Sequence, residues 1–166
     1  QNNNTTTGLE SQTVYSTDIS YVYRSPIVKA RLTGYFTQFK DGTDVGFYFV
    51  EGLSGAPTQD GNAFVQEVMT NIDRRNIGGE LGLEVQVTPT IALKAAAAFG
   101  TNTYSNNPDI YLNSDDFPNL DLTFGDGTTN LKDYHIAGGP EQAYQLGFEY
   151  RDPDYWWVGA TANFFS

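Results

Sequence analysis

Six stretches of the chain alternate between apolar and polar or small residues, and they stand in pairs around three prolines. Ahead of Pro26, Ile19, Tyr21 and Tyr23 alternate with Asp18, Ser20, Val22 and Arg24. After it, Val28, Ala30, Leu32, Gly34 and Phe36 alternate with Lys29, Arg31, Thr33, Tyr35 and Thr37. Around Pro89, Leu81, Leu83, Val85 and Val87 lead in, and Ile91, Leu93, Ala95, Ala97 and Phe99 lead out. Around Pro153 the same rhythm runs through Tyr144, Leu146, Phe148 and Tyr150, then Trp156, Val158, Ala160, Ala162 and Phe164. Successive strand side chains point to opposite faces, so this period of two predicts six strands, each with one apolar face. Proline cannot donate to a sheet ladder and belongs in turns. Hairpins turning at Pro26, Pro89 and Pro153 follow, and their nearly even spacing predicts an up-and-down meander.

A soluble sandwich shows the same alternation, so the placement of the aromatics has to decide. On the apolar face, Tyr21, Tyr23, Tyr150 and Trp156 lie beside the proline turns, while Phe36, Phe99 and Phe164 lie near the far ends of the strands. Ten residues at about 3.3 Å each, tilted by roughly 40°, rise about 25 Å, the height of the apolar band on an outer-membrane barrel. The opposite face carries Lys29, Arg31, Glu80, Glu84, Lys94, Gln145, Glu149 and Arg151. Between two packed sheets those charges are very costly; beside a wet lumen they are ordinary. Short turns on one side contrast with long segments at about 40–73 and 102–141 on the other, with Gly46–Val50 extending a strand above the membrane. Loops of that length count against a compact soluble domain. The expected fold is all-β: a segment of an antiparallel, up-and-down transmembrane β-barrel, with residues 1–166 forming a fragment of one barrel domain.

Composition narrows the function. No run approaches the roughly 18 apolar residues of a membrane helix. Nine Lys and Arg face twenty Asp and Glu, a net charge of −11, which argues against nucleic-acid binding. The absence of cysteine removes disulfides, thiolate metal sites and thiol nucleophiles. Glu80 and Glu84, four apart on one strand face, stand about 13 Å apart, too far for a glycosidase pair. No serine has a nucleophile-elbow context, and Gly78-Gly79 lacks what a phosphate loop needs, so it reads as a kink or close packing. His135, the single histidine, reads as a loop residue. No enzymatic activity is expected. Asp115, Asp116, Asp121 and Asp126, within the acidic 109–133 loop, are weak calcium candidates, although their spacing matches no EF-hand; no other cofactor is expected. Trp156-Trp157 reads as a membrane-interface anchor, with sugar stacking as the rival.

Four segments, Tyr21–Tyr35 (YVYRSPIVKARLTGY), Ile72–Leu83 (IDRRNIGGELGL), Tyr104–Asp109 (YSNNPD) and Gly139–Arg151 (GPEQAYQLGFEYR), resemble late barrel strands of TonB-dependent outer-membrane receptors. The closest flavour is the group with an N-terminal carboxypeptidase-regulatory-like domain. The resemblance implies a barrel of about 22 strands filled by a plug, in the outer membrane of a Gram-negative bacterium. It implies active uptake of a siderophore, vitamin, glycan or peptide, energised through the TonB complex. Expected partners are outer-membrane lipid, the rest of the barrel and its plug, TonB through segments outside this chain, and a surface lipoprotein. Six strands fall short of the eight that the smallest barrels use, so the expectation is a fragment. The membrane-interface aromatics would be Tyr21, Tyr23, Phe36, Phe99, Tyr150, Trp156 and Phe164; the lumen would be lined by Lys29, Arg31, Glu80, Glu84, Lys94, Glu149 and Arg151. A soluble or surface glycan-binding module and a passive porin-type channel are the competing expectations.

Overall fold

Every paired element in this protein is an antiparallel strand. The computed structural model describes residues 9–52, 62–113 and 122–166, and among them there are eight strands and no helix. They are β1 (Thr13–Arg24), β2 (Val28–Val50), β3 (Ala63–Thr88), β4 (Ile91–Tyr104), β5 (Asp109–Asn113), β6 (Leu122–Thr128), β7 (Gln142–Arg151) and β8 (Trp157–Phe165). The sheet runs β1-β2-β3-β4-β7-β8, with β5 pairing β3 and β6. The order follows the chain wherever a proline turn joins two strands, as an up-and-down meander requires. β1 and β8 are the two ends of that order and do not pair with each other, so the sheet is open.

The six expected strands are all present, but two features differ from expectation. Among its described residues the segment 40–73 is mostly strand, beyond the expected extension at Gly46–Val50: β2 continues to Val50 and β3 begins at Ala63, while 102–141 carries the short paired strands β5 and β6 amid irregular chain. Pattern reading stops short there because the side-chain phase is broken inside the strands. Asp41 (φ 59°) and Asn71 (φ 55°) adopt left-handed backbone, the mark of a bulge. Asn and Asp tolerate that conformation better than other L residues. The third proline turn is also longer than two or three residues. β7 ends at Arg151 and β8 begins at Trp157, which leaves Trp156 in the turn rather than on the strand.

The chain divides into two compact units, and β1, β2, β3 and β4 contribute residues to both. The first unit comprises residues 1–15, 38–74 and 103–134. It has a small core of Val65, Val68, Ile72, Leu112 and Pro108. A side chain substitutes for main chain at the Asn71 bulge: Asn106 Nδ2 donates to the Asn71 carbonyl at 2.7 Å, and Asn106 Oδ1 accepts from the Asp73 amide at 3.0 Å. The Ser105 amide reaches the Asp73 carbonyl at 2.9 Å, so β3 stays hydrogen-bonded where β4 gives way to β5.

The second unit comprises residues 16–37, 75–102 and 135–166. Its only buried apolar residue among those described is Ala92. Instead, the consecutive glycines Gly78 and Gly79 of β3 admit a ring on each face. A methyl at Gly78 would overlap the Tyr35 phenol and come within 2.6 Å of the Phe99 carbonyl; one at Gly100 would lie 2.5 Å from the Tyr35 hydroxyl. On the opposite face the Phe99 ring lies 3.1 Å from where a Gly79 methyl would stand. Close packing is therefore the role of this glycine pair. Gly78→Ala should destabilise the refolded chain by about 1–3 kcal/mol through overpacking. Gly82→Ala, which meets nothing within 4 Å, should be neutral or slightly stabilising. Urea midpoints of the two variants check this, and equal midpoints would remove the joint as a constraint.

Candidate functional site

The second unit presents two chemically opposite faces, and cross-strand register holds them apart. Ile91 pairs Tyr150, Leu93 pairs Phe148, Ala95 pairs Leu146 and Ala97 pairs Tyr144. Across β7 and β8, Tyr144 pairs Phe164, Leu146 pairs Ala162, Phe148 pairs Ala160 and Tyr150 pairs Val158. Directly opposed residues share a face, so one side is apolar from Ile91 to Phe99 in β4, Tyr144 to Tyr150 in β7 and Val158 to Phe164 in β8, with Gln142 opposite Phe99 at its edge. The intervening pairs, including Ala92 with Glu149, Ala96 with Gln145 and Gln145 with Asn163, make the other side. No second layer packs on this apolar face among the described residues: Leu146 is 65% exposed, Phe148 45% and Phe164 61%.

The predicted aromatics sit on or beside this face. Tyr21, Tyr23, Phe36, Phe99 and Phe164 are exposed, as is Trp156. Tyr150 is half-buried because Trp156 packs on it, ring centroids 5.2 Å apart, while its hydroxyl donates to Asp152 Oδ2 at 2.9 Å. At the other end Tyr144 and Phe164 pack at 6.2 Å. Trp157 is separated from Trp156 by the pleat: opposite Arg151, it stands on the charged face. The two tryptophans therefore do not act as one anchor.

On the charged face the structure assembles a ladder that the sequence left unpaired. Lys29 Nζ meets Glu84 Oε1 at 2.8 Å, Lys94 Nζ meets Glu149 Oε2 at 3.0 Å, and Arg151 meets Glu149 Oε1 at 3.0 Å. Charges of alternating sign thus run across β2, β3, β4 and β7. Arg31 takes hydroxyls instead, donating to Thr33 Oγ1 at 3.2 Å, with Ser20 and Thr33 hydroxyls 2.9 Å apart. Beside the ladder, Arg31, Glu80, Gln145 and Asn163 border a shallow trough of about 440 Å³ floored by Gly82, Ala96, Ala98 and Ala143. The arrangement suits a wet, charged surface that contacts polar matter. It holds no nucleophile–base pair.

Two further clusters lie outside the predicted set. In the first unit, Glu10, Asp41, Thr43, Thr70, Asn71 and Asp109 border a polar pocket of about 260 Å³. No group of carboxylates and histidines among the described residues has a metal-binding arrangement. The calcium candidates Asp115, Asp116 and Asp121, and the side chain of Asp126, lie outside the described residues. In the second unit, His135 has a partner after all: its Nδ1 lies 2.6 Å from Glu141 Oε1. The intervening Gly138-Gly139-Pro140 lets the chain double back, with the Ile136 amide on the Asn102 carbonyl and the Gly100 amide on the Glu141 carbonyl, each at 2.8 Å. A carboxylate six residues downstream across two glycines was the available signal.

No protein-family model, curated protein or solved structure matches the chain.

The His135 hydrogen bond, with a smaller contribution from Thr101, holds the Glu141 carboxyl below the usual carboxylate range, against desolvation that pushes it up. A folded-state value below the unfolded one contributes stability above the unfolded value, and the contribution is lost as pH falls through the folded one. An NMR titration of Glu141 should therefore show it charged further into acid than an ordinary glutamate, and His135→Ala should move its midpoint up. For the ladder, a double-mutant cycle on Lys94→Gln and Glu149→Gln should give a coupling that vanishes near 1 M salt, where screening acts within about 3 Å. A coupling unchanged by salt would mean the pair is shielded from water.

Proposed function

We propose that this chain is a stretch of the wall of an outer-membrane β-barrel receptor of the TonB-dependent kind, serving active uptake of a nutrient. The observation that carries the reading is the two-faced sheet of the second unit, with an uncovered apolar face and a charge ladder on the reverse. Water accepts a charged face but not a contiguous apolar one. Lipid on one side and an aqueous lumen on the other satisfy both. Strand length agrees, because a tilted crossing takes about 9–11 residues and β7 and β8 have 10 and 9. The open edges of β1 and β8 expose unpaired backbone groups, a liability that closure into a larger barrel removes.

In this reading the apolar face meets lipid, with Tyr21, Tyr23, Tyr150 and Trp156 at one interface and Phe36, Phe99 and Phe164 at the other. Lys29, Arg31, Glu80, Glu84, Lys94, Glu149 and Arg151 face the lumen or the plug. Neighbouring strands, plug and TonB contact belong to other parts of the parent protein, in the outer membrane of a Gram-negative bacterium. The choice of a TonB-dependent receptor over a passive channel rests on the four sequence segments that resemble that family. A glycan-binding module is the second reading; the 66% exposure of Trp157 on the charged face favours it.

Leu146→Arg separates the readings. At the bilayer midplane an arginine on the lipid face costs about 2–4 kcal/mol, so this variant should fold poorly into vesicles while Ala96→Arg on the charged face folds normally. In a water-soluble module Leu146→Arg would be harmless or improve solubility. Recovery of the native protein from the aqueous fraction without detergent would also defeat the membrane assignment.

A further inference from the structure

The hairpin end of β2 and β3 carries aromatic surface that a lipid-facing wall does not explain. In the first unit Phe47, Tyr48, Phe49 and Phe64 are all exposed, from 52% for Tyr48 to 63% for Phe49. These rings are set in place. Phe47 and Phe64 stack across the two strands with centroids 6.3 Å apart and planes 21° from parallel. Tyr48 folds back over Gly46, its ring 2.7 Å from where a side chain there would begin. Successive strand residues point to opposite faces, so Tyr48 presents a ring on one side of β2 and Phe47 and Phe49 on the other.

Lipid is a poor cover for them, a step that rests on the membrane reading above. Residues 28–37 of β2 already supply the ten or so that one crossing takes, and Phe47–Phe49 are surplus to it. The surrounding charge selects among the remaining occupants. Between Lys40 and Arg74 the chain carries Asp41, Asp44, Glu51, Asp60, Glu67 and Asp73 and no further cation. A second copy of this hairpin would bring like charges together. An anionic lipid surface would meet the same repulsion, and a neutral glycan would make no use of the field. A basic polypeptide uses both features: Lys and Arg lie over ring faces by cation–π attraction and pair with the carboxylates, while apolar neighbours cover the phenylalanines.

We propose that the β2–β3 hairpin end is a docking surface for a basic, partly apolar protein segment, anchored on one face by Phe47, Phe49 and Phe64 and steered by Asp44 and Glu51. The full chain in detergent, titrated with a synthetic peptide of alternating Lys and Leu, tests it by calorimetry. The peptide should bind, with affinity falling as salt rises. Phe47→Ser with Phe49→Ser should weaken binding by about tenfold or more, as loss of central aromatic anchors does. Asp44→Asn with Glu51→Gln, which leaves the rings in place, should weaken binding and flatten its salt dependence. Equal binding by all variants would overturn the proposal. So would tighter binding of a Glu–Leu peptide, a neutral maltooligosaccharide or anionic phosphatidylglycerol vesicles, or dimerisation lost with the phenylalanines. Partition of the same variants into detergent reports on the membrane reading separately: a chain that binds the peptide but stays in water sinks that reading and leaves the docking surface standing.

Discussion

A strand side chain has two directions to choose from, and neighbouring strands must agree on the choice. That agreement is the constraint on which the second unit depends. A slip of one residue between β4 and β7 would set Leu93, Phe148 and Leu146 among Lys94, Glu149 and Gln145. The observed register keeps every member of the apolar set on one side of β4, β7 and β8. The ion pairs follow from it: Lys94 reaches Glu149 because register sets them one diagonal step apart on the same face. Exposed ion pairs contribute little to stability by themselves. Their value here is in specifying which face is wet.

Because the apolar face is not packed against another layer, tightness has to come from within the sheet. The aromatic–glycine contacts supply it. Tyr35 lies over Gly78 and Gly100 on the charged face, and Phe99 lies over Gly79 on the other. A ring laid across two strands covers backbone that glycine leaves bare and ties β2, β3 and β4 together without a hydrophobic core. The first unit uses a different device. It buries Val65, Val68, Ile72 and Leu112 and mends a bulge with the Asn106 side chain. One unit thus has a small apolar interior, and the other has two surfaces and, among its described residues, almost no interior.

That contrast organises the functional argument. A face that is apolar, aromatic-edged and uncovered calls for an apolar medium; a face of alternating charges calls for water. The hairpin end in the first unit answers to neither, since its exposed aromatic rings belong to a stretch of chain rich in carboxylates.

The sequence by itself determined the strand class, the three proline turns and the membership of each strand face, because period-two alternation and proline chemistry act locally. Tyr21 and Leu93 could be assigned to the apolar side from their neighbours in the chain alone. Where a local signal fails, only the tertiary structure decided. The left-handed residues Asp41 and Asn71 break the phase, so in the far halves of β2 and β3 only Gly46–Val50 reads as strand, although both strands continue there. Salt-bridge partners lie on other strands: Lys29 and Glu84 are 55 residues apart in the chain and 2.8 Å apart in space. Gly78 reads as close packing from the sequence, but its partners Tyr35 and Gly100 are identified only when register brings the three to one point. Which residues meet across a sheet depends on pairing between distant segments, and no local pattern contains that information.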